Sequence, residues 1–313
     1  MLRRTFVSIS LAVLFIFIAS SAGAKMSAEE IARLGKDLTP SGGEMAGNKD
    51  GTIPAWEGGI TSPPEGYKQG MQQPDPFADD AVLFTITKQN MDQYADKLTP
   101  GYKAMLELYD TFKMNVYPTR RSASFPDRIY EATKKSAATA ELVENGYGVK
   151  HTVIGIPFPI PENGLEVIWN HILRYRGDIA ARYIAQAVLT RGGQYTLIQM
   201  PDEFNMLYSH EGMTEETLGN RIAFFKQKVT APARLAGGIL LVHETMNQVN
   251  EPRSAWLYNP GQRRVRRAGG AGGSGAPGAG ARSVLTSFAS VTSEEKPMSP
   301  SSSSNRSSST RRG

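Results

Sequence analysis

Apolar positions fall at helical intervals in the first half of the chain and in short alternating runs in the second. Ser27-Ala28-Glu29-Glu30 is a capping-box pattern, in which the Ser hydroxyl accepts from the third amide and Glu30 reaches back. It predicts a short helix ending near Gly35. Between Leu38 and Asp80 periodicity disappears under a high density of Gly and Pro, which predicts an extended segment ordered by contact. Leu83 to Tyr117 reads as helical. Thr99-Pro100 is an N-cap followed by a first-turn proline, and Met105, Leu108 and Phe112 recur at helical spacing beside Leu106 and Tyr109. Phe125-Pro126 opens another helix with Ile129, Tyr130 and Thr133 on one side.

From Ile154 the period changes. Pro157, Pro159 and Pro161 bar a central strand where they stand, because each removes a ladder donor. Short apolar or alternating runs follow at Val167–Arg176, Tyr183–Leu189, Tyr195–Met200, Phe204–Ser209, Ile222–Val229, Leu235–Glu244 and Ala255–Tyr258. Arg191-Gly192-Gly193 and Asn259-Pro260-Gly261-Gln262 are compact turn signals. Links this short exclude helical crossovers, so the sheet is expected to be an antiparallel meander. Read as a strand, Val167–Arg176 puts Trp169, His171 and Tyr175 on one face and Arg174 and Arg176 on the other. The fold class is therefore α+β, a sheet with apolar residues on both faces and helices covering one of them.

Composition changes this picture mainly at the two ends. Arg3 and Arg4 precede an apolar run, Val7 to Ala19, and the small-x-small site Ala22-Gly23-Ala24. This is the pattern of a cleavable secretory signal, with a mature start at Lys25. The chain has no Cys, so neither disulfides nor an N-terminal lipid anchor are expected. The formal charge of +5 also belongs to the ends. Two signal-segment arginines and an excess of seven basic residues from Arg263 to Gly313 leave about −4 for Lys25 to Gln262. That mildly acidic body gives no reason to expect nucleic acid.

At Ala268 the character breaks. Gly269 to Gly280 is almost wholly Gly, Ala, Ser and Pro, and Pro300 to Gly313 is mostly Ser with Arg. Such composition cannot bury a core and predicts disorder. An off-frame reading of GC-rich DNA has the same look, and reading the other frames past codon 268 tests that origin. The expected organisation is a signal peptide (1–24), a helix and Pro/Gly-rich strap (25–82), helices with the sheet (83–268) and a low-complexity tail (269–313).

No catalytic constellation stands out. There is no G-x-S-x-G, Walker loop or G-x-G-x-x-G. Asn48-Lys49-Asp50-Gly51 with Glu57 echoes a calcium loop, but Ala46 occupies the first ligand position, so a turn is expected. His171, His210 and His243 are read as packed imidazoles. The neighbours His210-Glu211 and His243-Glu244 would point to opposite faces of a strand and cannot chelate together. No metal and no cofactor are expected. Trp169, Tyr175, Phe224, Phe225 and Trp256 are candidates for lining a ligand cavity. Arg174, Arg176, Arg264 and Arg266 are candidates for an anionic headgroup or surface.

Leu34–Gly59, Tyr117–Pro126, Gly155–Gly177, Ala233–Gln248 and Pro252–Ala268 together resemble a family of exported proteobacterial proteins known as a domain of unknown function, family 1329. That family is similar to the lipoprotein-localisation carriers of the envelope. The resemblance implies a curved half-barrel sheet closed by helices around a hydrophobic cavity; family members continue past this point with more strands, and this chain departs from them completely at Gly269. It further implies a non-enzymatic periplasmic or outer-membrane-associated binder of a lipid-like molecule, with an outer-membrane or lipid-exporter protein as partner. An envelope scaffold that docks through the Leu38–Asp80 strap, and a hydrolase with an unmarked site, are the alternatives.

Overall fold

A computed structural model describes residues 26–68, 70–71 and 73–268. The expected signal peptide and tail lie outside the described residues. The chain divides into two compact units, one of residues 35–126 and one that joins residues 26–34 to 127–268. The division falls between Pro126 and Asp127, inside the stretch that the sequence reading ran continuously from 83 to 268.

In the 35–126 unit the sequence reading needs correction. Leu83–Tyr117 is not helical throughout. It begins and ends in short strands, β1 (Phe84–Ile86) and β2 (Met114–Val116), paired antiparallel with Phe84 opposite Val116 and Ile86 opposite Met114. Between them lies helix α2 (Pro100–Leu108), started as expected by Thr99, whose hydroxyl accepts from Tyr102 N at 3.3 Å. Ile86, Leu98, Leu106 and Met114 form a small core, with Tyr94, Tyr102 and Phe112 packed against it. The Gly/Pro-rich strap carries no helix or strand among its described residues. It is held instead by a return segment. The Arg121 guanidinium donates to the carbonyls of Met45, Ala46 and Pro54 at 3.0–3.3 Å and to that of Glu44. Trp56 Nε1 donates to Ala123 O at 2.9 Å, and Ile60 N to Ser122 O at 2.9 Å. Asn48, the start of the calcium-like stretch, spends its side chain on a turn: Oδ1 accepts from Ile53 N at 2.9 Å and Nδ2 donates to Thr52 Oγ1 at 2.7 Å.

In the other unit, α1 (Ala28–Ile31) carries both halves of the expected capping box. Helix α3 (Asp127–Ala137) buries Ile129 and Thr133, as its apolar spacing predicts. A hairpin of β3 (Glu141–Val143) and β4 (Gly148–Lys150) follows. The next element overturns an expectation. Val167–Arg176 is not a strand; Gly164–Leu173 is helix α4, capped by Asn163. Asn163 Oδ1 accepts from Leu165 N and Glu166 N at 3.0 and 3.1 Å, and Asn163 Nδ2 donates to Glu166 Oε1 at 2.9 Å.

The sheet is a six-stranded antiparallel meander, as the short turns predict, and it is not closed. Its strands are β5 (Ile179–Leu189), β6 (Tyr195–Asn205), β7 (Arg221–Lys228), β8 (Ile239–Thr245), β9 (Ser254–Asn259) and β10 (Arg264–Ala268), in spatial order β10-β9-β8-β7-β6-β5. A short helix, α5 (Glu215–Leu218), precedes β7. Strand β6 joins two runs that sequence reading kept apart and passes through Pro201. Pro201 is tolerated because pairing with the β7 side slips there: Asp202 lies opposite Gln227, whereas Gln199 bridges Ala231. Leu207–Ser209, read as the end of a strand, is instead a single 3₁₀ turn.

One face of the sheet is buried over much of its central strands. Met200, Asp202 and Phe204 of β6, Ala223 and Phe225 of β7, Val242 and Glu244 of β8 and Ala255 of β9 are all excluded from water. Arg182 and Asp202, directly opposite each other on β5 and β6, form a two-pronged ion pair on this face, Nε–Oδ1 2.9 Å and Nη2–Oδ2 2.7 Å. Glu244 is bound there by Arg253. Helix α3 is tied to the end of the sheet through Arg128, which donates to Ser209 O and to both Asp178 oxygens, at 2.8 and 3.0 Å. Tyr208, fully buried, links the same end to the segment before α4, donating to Gly155 O and meeting Thr152 Oγ1, both at 2.7 Å.

Candidate functional site: an apolar trough on the open face

Side chains alternate between the faces of a strand, so the register fixes which residues stand opposite the buried set. On the open face Val265, Tyr258, Ile239 and Lys228 form one cross-strand row, from β10 to β7. Arg267, Trp256, Leu241, Lys226 and Glu203 form the next, from β10 to β6. Ser254, His243, Phe224 and Asn205 form the third. Ile239, Leu241, His243, Trp256, Tyr258 and Val265 line an open trough of about 390 Å³. That volume lies within the range of about 300–1,000 Å³ found for small-molecule sites.

The β-branched and aromatic residues of this region favour strands, and alternation assigns them. In β8, Ile239, Leu241 and His243 face the trough while Val242 and Glu244 are buried behind it. His243 sits between two aromatic rings, with its centroid 4.5 Å from Phe224 and 4.8 Å edge-on from Trp256. Burial, and then the charge of Arg221, hold this imidazole below its usual range, against an opposing pull from Glu251. It is therefore neutral at neutral pH and serves as part of the apolar wall. Behind it, Glu244 is pushed up by burial, and the Arg253 charge and hydrogen bond offset only part of that shift. As expected for strand neighbours, His243 and Glu244 face opposite ways.

Among the aromatic candidates, Phe224 and Trp256 meet on the open face through His243. Phe225 lies on the other face and is buried. Trp169 belongs to α4, is 4% exposed and donates its indole N–H to Gly146 O at 3.0 Å, which makes it core. Tyr175, beyond the end of α4, lies 5.3 Å under the Arg128 guanidinium.

Because the expected strand is a helix, Arg174 and Arg176 do not share a strand face. Arg174 is the C-cap of α4 and donates to His171 O, and Arg176 donates to Ile172 O at 3.3 Å. Burial lowers Arg174, and it lowers Arg176 to about 9, with the positive charges of Arg174 and Arg182 adding to the shift and Glu244 opposing it. Arg264 and Arg266 are exposed on β10 but register beside Asn259 and Leu257, on the face away from the trough. The cations within the cross-strand rows of the trough face are Arg267, Lys226 and Lys228. Their signal was alternation within β7 and β10, which separates Arg267 from Arg266.

Among the described residues no cluster of three His, Asp or Glu side chains is placed to hold a metal ion, and no helix is long and apolar enough to cross a membrane.

A family profile matches residues 85–287, and so runs on past Ala268, where the resemblance read from the sequence stops. An uncharacterized protein of Pseudomonas aeruginosa, PA3922, is 51% identical over 252 residues, which cover 80% of this chain and 55% of the relative. The chain thus spans about half the length of that curated relative. No solved structure matches. On the strength of both matches, the chain belongs to the family described as protein of unknown function (DUF1329).

Proposed function

We propose that this protein is a non-catalytic binder of a hydrophobic, lipid-like molecule, working in the periplasm or at the outer membrane, and that the trough seats the molecule's apolar part. In this reading the open sheet is one wall of a half-barrel of the lipoprotein-localisation kind. The observation that carries it is the trough itself, where five apolar or aromatic side chains and a neutral imidazole stand together on a sheet face open to solvent. Leaving such side chains in water costs roughly 25 cal/mol per Å² of apolar surface, which an apolar guest would recover. A lipid exporter or outer-membrane protein is the partner that would load or receive the guest. The scaffold alternative draws less support, because backbone carbonyls between Glu44 and Pro54 of its proposed docking strap are already taken by Arg121.

Trp256 supplies the test. The chain has three tryptophans, and Trp169 is buried in the core while Trp56 is hydrogen-bonded within the 35–126 unit. Lipids brominated on the acyl chain are expected to quench a Trp256 component that disappears in Trp256→Phe. Organic extraction of the protein purified from envelope fractions should release a lipid. No quenching together with a lipid-free extract would overturn the proposal.

A further inference from the structure

Cross-strand register gives the trough a charge pattern as well as an apolar floor. The row through Trp256 and Leu241 ends in Arg267 on the β10 side and Lys226 on the β7 side, and the row through Tyr258 and Ile239 ends in Lys228. At about 4.8 Å between strands, Arg267 and Lys226 flank the floor roughly 14 Å apart at the backbone. Their flexible stems let the charged heads lean over the apolar strip. The acidic side chain in these rows is Glu203, whose carboxylate pairs with Lys226 at 2.7 Å. Arg267 donates to the neutral Ser254 hydroxyl at 2.7 Å. Beside the third row, Arg221 and Glu251 bind each other at 3.2 Å and so largely cancel. The rim is therefore net positive around a floor that carries no charge at neutral pH.

We infer that the trough selects a single-chain amphiphile with an anionic headgroup, the alkyl chain lying along β8 and β9 and the anion drawn by the net positive rim to which Lys228 and Arg267 contribute. This inference rests on reading the trough as a lipid site and adds its selectivity. The lining from Ile239 to His243 spans four residue steps, about 14 Å of strand, which suits one chain of medium length. Carboxylate and phosphate headgroups share the chemistry that such a rim recognises.

The experiment follows Trp256 fluorescence of the full chain titrated with laurate, dodecyl phosphate, monolaurin and dodecyltrimethylammonium, each kept below its micelle concentration. Both anions are expected to bind roughly tenfold more tightly than neutral monolaurin, with added salt weakening only the anions. The ratio of laurate to dodecyl phosphate then separates a carboxylate from a phosphate headgroup. Lys228→Gln combined with Arg267→Gln should bring the anions to the monolaurin level. Lys134→Gln combined with Lys135→Gln, an equal loss of charge on α3, should leave the preference intact. Circular dichroism of both double variants should match the parent. Equal affinity for all four probes, or a preference that survives Lys228→Gln/Arg267→Gln, overturns the anionic selectivity while leaving apolar binding standing. Failure of all four probes to bind overturns the lipid site itself.

Discussion

Gly155 shows how closely one backbone position can be specified. A Cβ built there would lie 2.3 Å from Thr133 N and 2.4 Å from the Ala132 carbonyl carbon. Thr133 cannot retreat easily, since its hydroxyl donates to Ile129 O at 2.8 Å and accepts from Ile156 N at 3.0 Å. Gly155→Ala should therefore cost about 1–3 kcal/mol, read as a lower urea midpoint. Gly164→Ala is the control. It has no atom within 4 Å of the added carbon, sits in the first turn of α4 and should leave the midpoint unchanged or slightly raised. Both glycines lie in the stretch that carried the family resemblance, yet sequence alone could not tell them apart. Close approach of Gly155 to α3 is a tertiary fact. Arg121 was equally opaque, since the carbonyls it gathers lie 67 to 77 residues earlier in the chain.

Elements were legible where their signal was local. The Ser27 and Thr99 caps and the meander all follow from residues a few positions apart. α4 was missed because Val167, Ile168 and Trp169 favour strands, while the decisive signal, Asn163 with Glu166 three residues on, lay just upstream. β1 and β2 were missed because each has only three residues and its partner lies 30 positions away. β5 and β6 pair along their whole length through the expected Arg191-Gly192-Gly193 turn, but they also carry a cross-strand pair that alternation alone would not flag, a charged pair on the buried face. Asp202 is 1% exposed, and Arg182 meets it with two hydrogen bonds. Asp202→Ala should lower stability by about 3–5 kcal/mol, because it leaves the Arg182 charge largely out of water without its partner. Arg182→Met combined with Asp202→Leu should recover most of that loss. Denaturant unfolding of the three variants checks this, and a double variant as weak as the single would show that the pair adds more than mutual neutralisation.

At the scale of the whole molecule, two neighbouring residues on opposite faces of β8 tilt the pH profile in opposite directions. The His243 pKa is held below its ordinary 6.5 in the folded state. As pH falls through 6.5 the unfolded chain takes up a proton first, so this residue's contribution is complete above 6.5 and is lost towards its folded value. The Glu244 pKa is raised above its ordinary 4.5, chiefly by burial. Its folded form takes up a proton first on acidification, so its contribution is full below 4.5 and is lost as pH rises through the folded value. Arg221 and Glu251 face His243, while Arg253 and Arg176 face Glu244. The two effects overlap in the window between the ordinary values, 4.5 and 6.5. Within it, His243→Phe should flatten the loss of stability on acidification, and Glu244→Gln should steepen it, whatever either substitution does to stability at pH 7. Urea midpoints at half-unit pH steps test the slopes. If His243→Phe leaves the slope unchanged, the imidazole is not shielded by Phe224 and Trp256. The trough floor would then be wetter than an apolar guest requires.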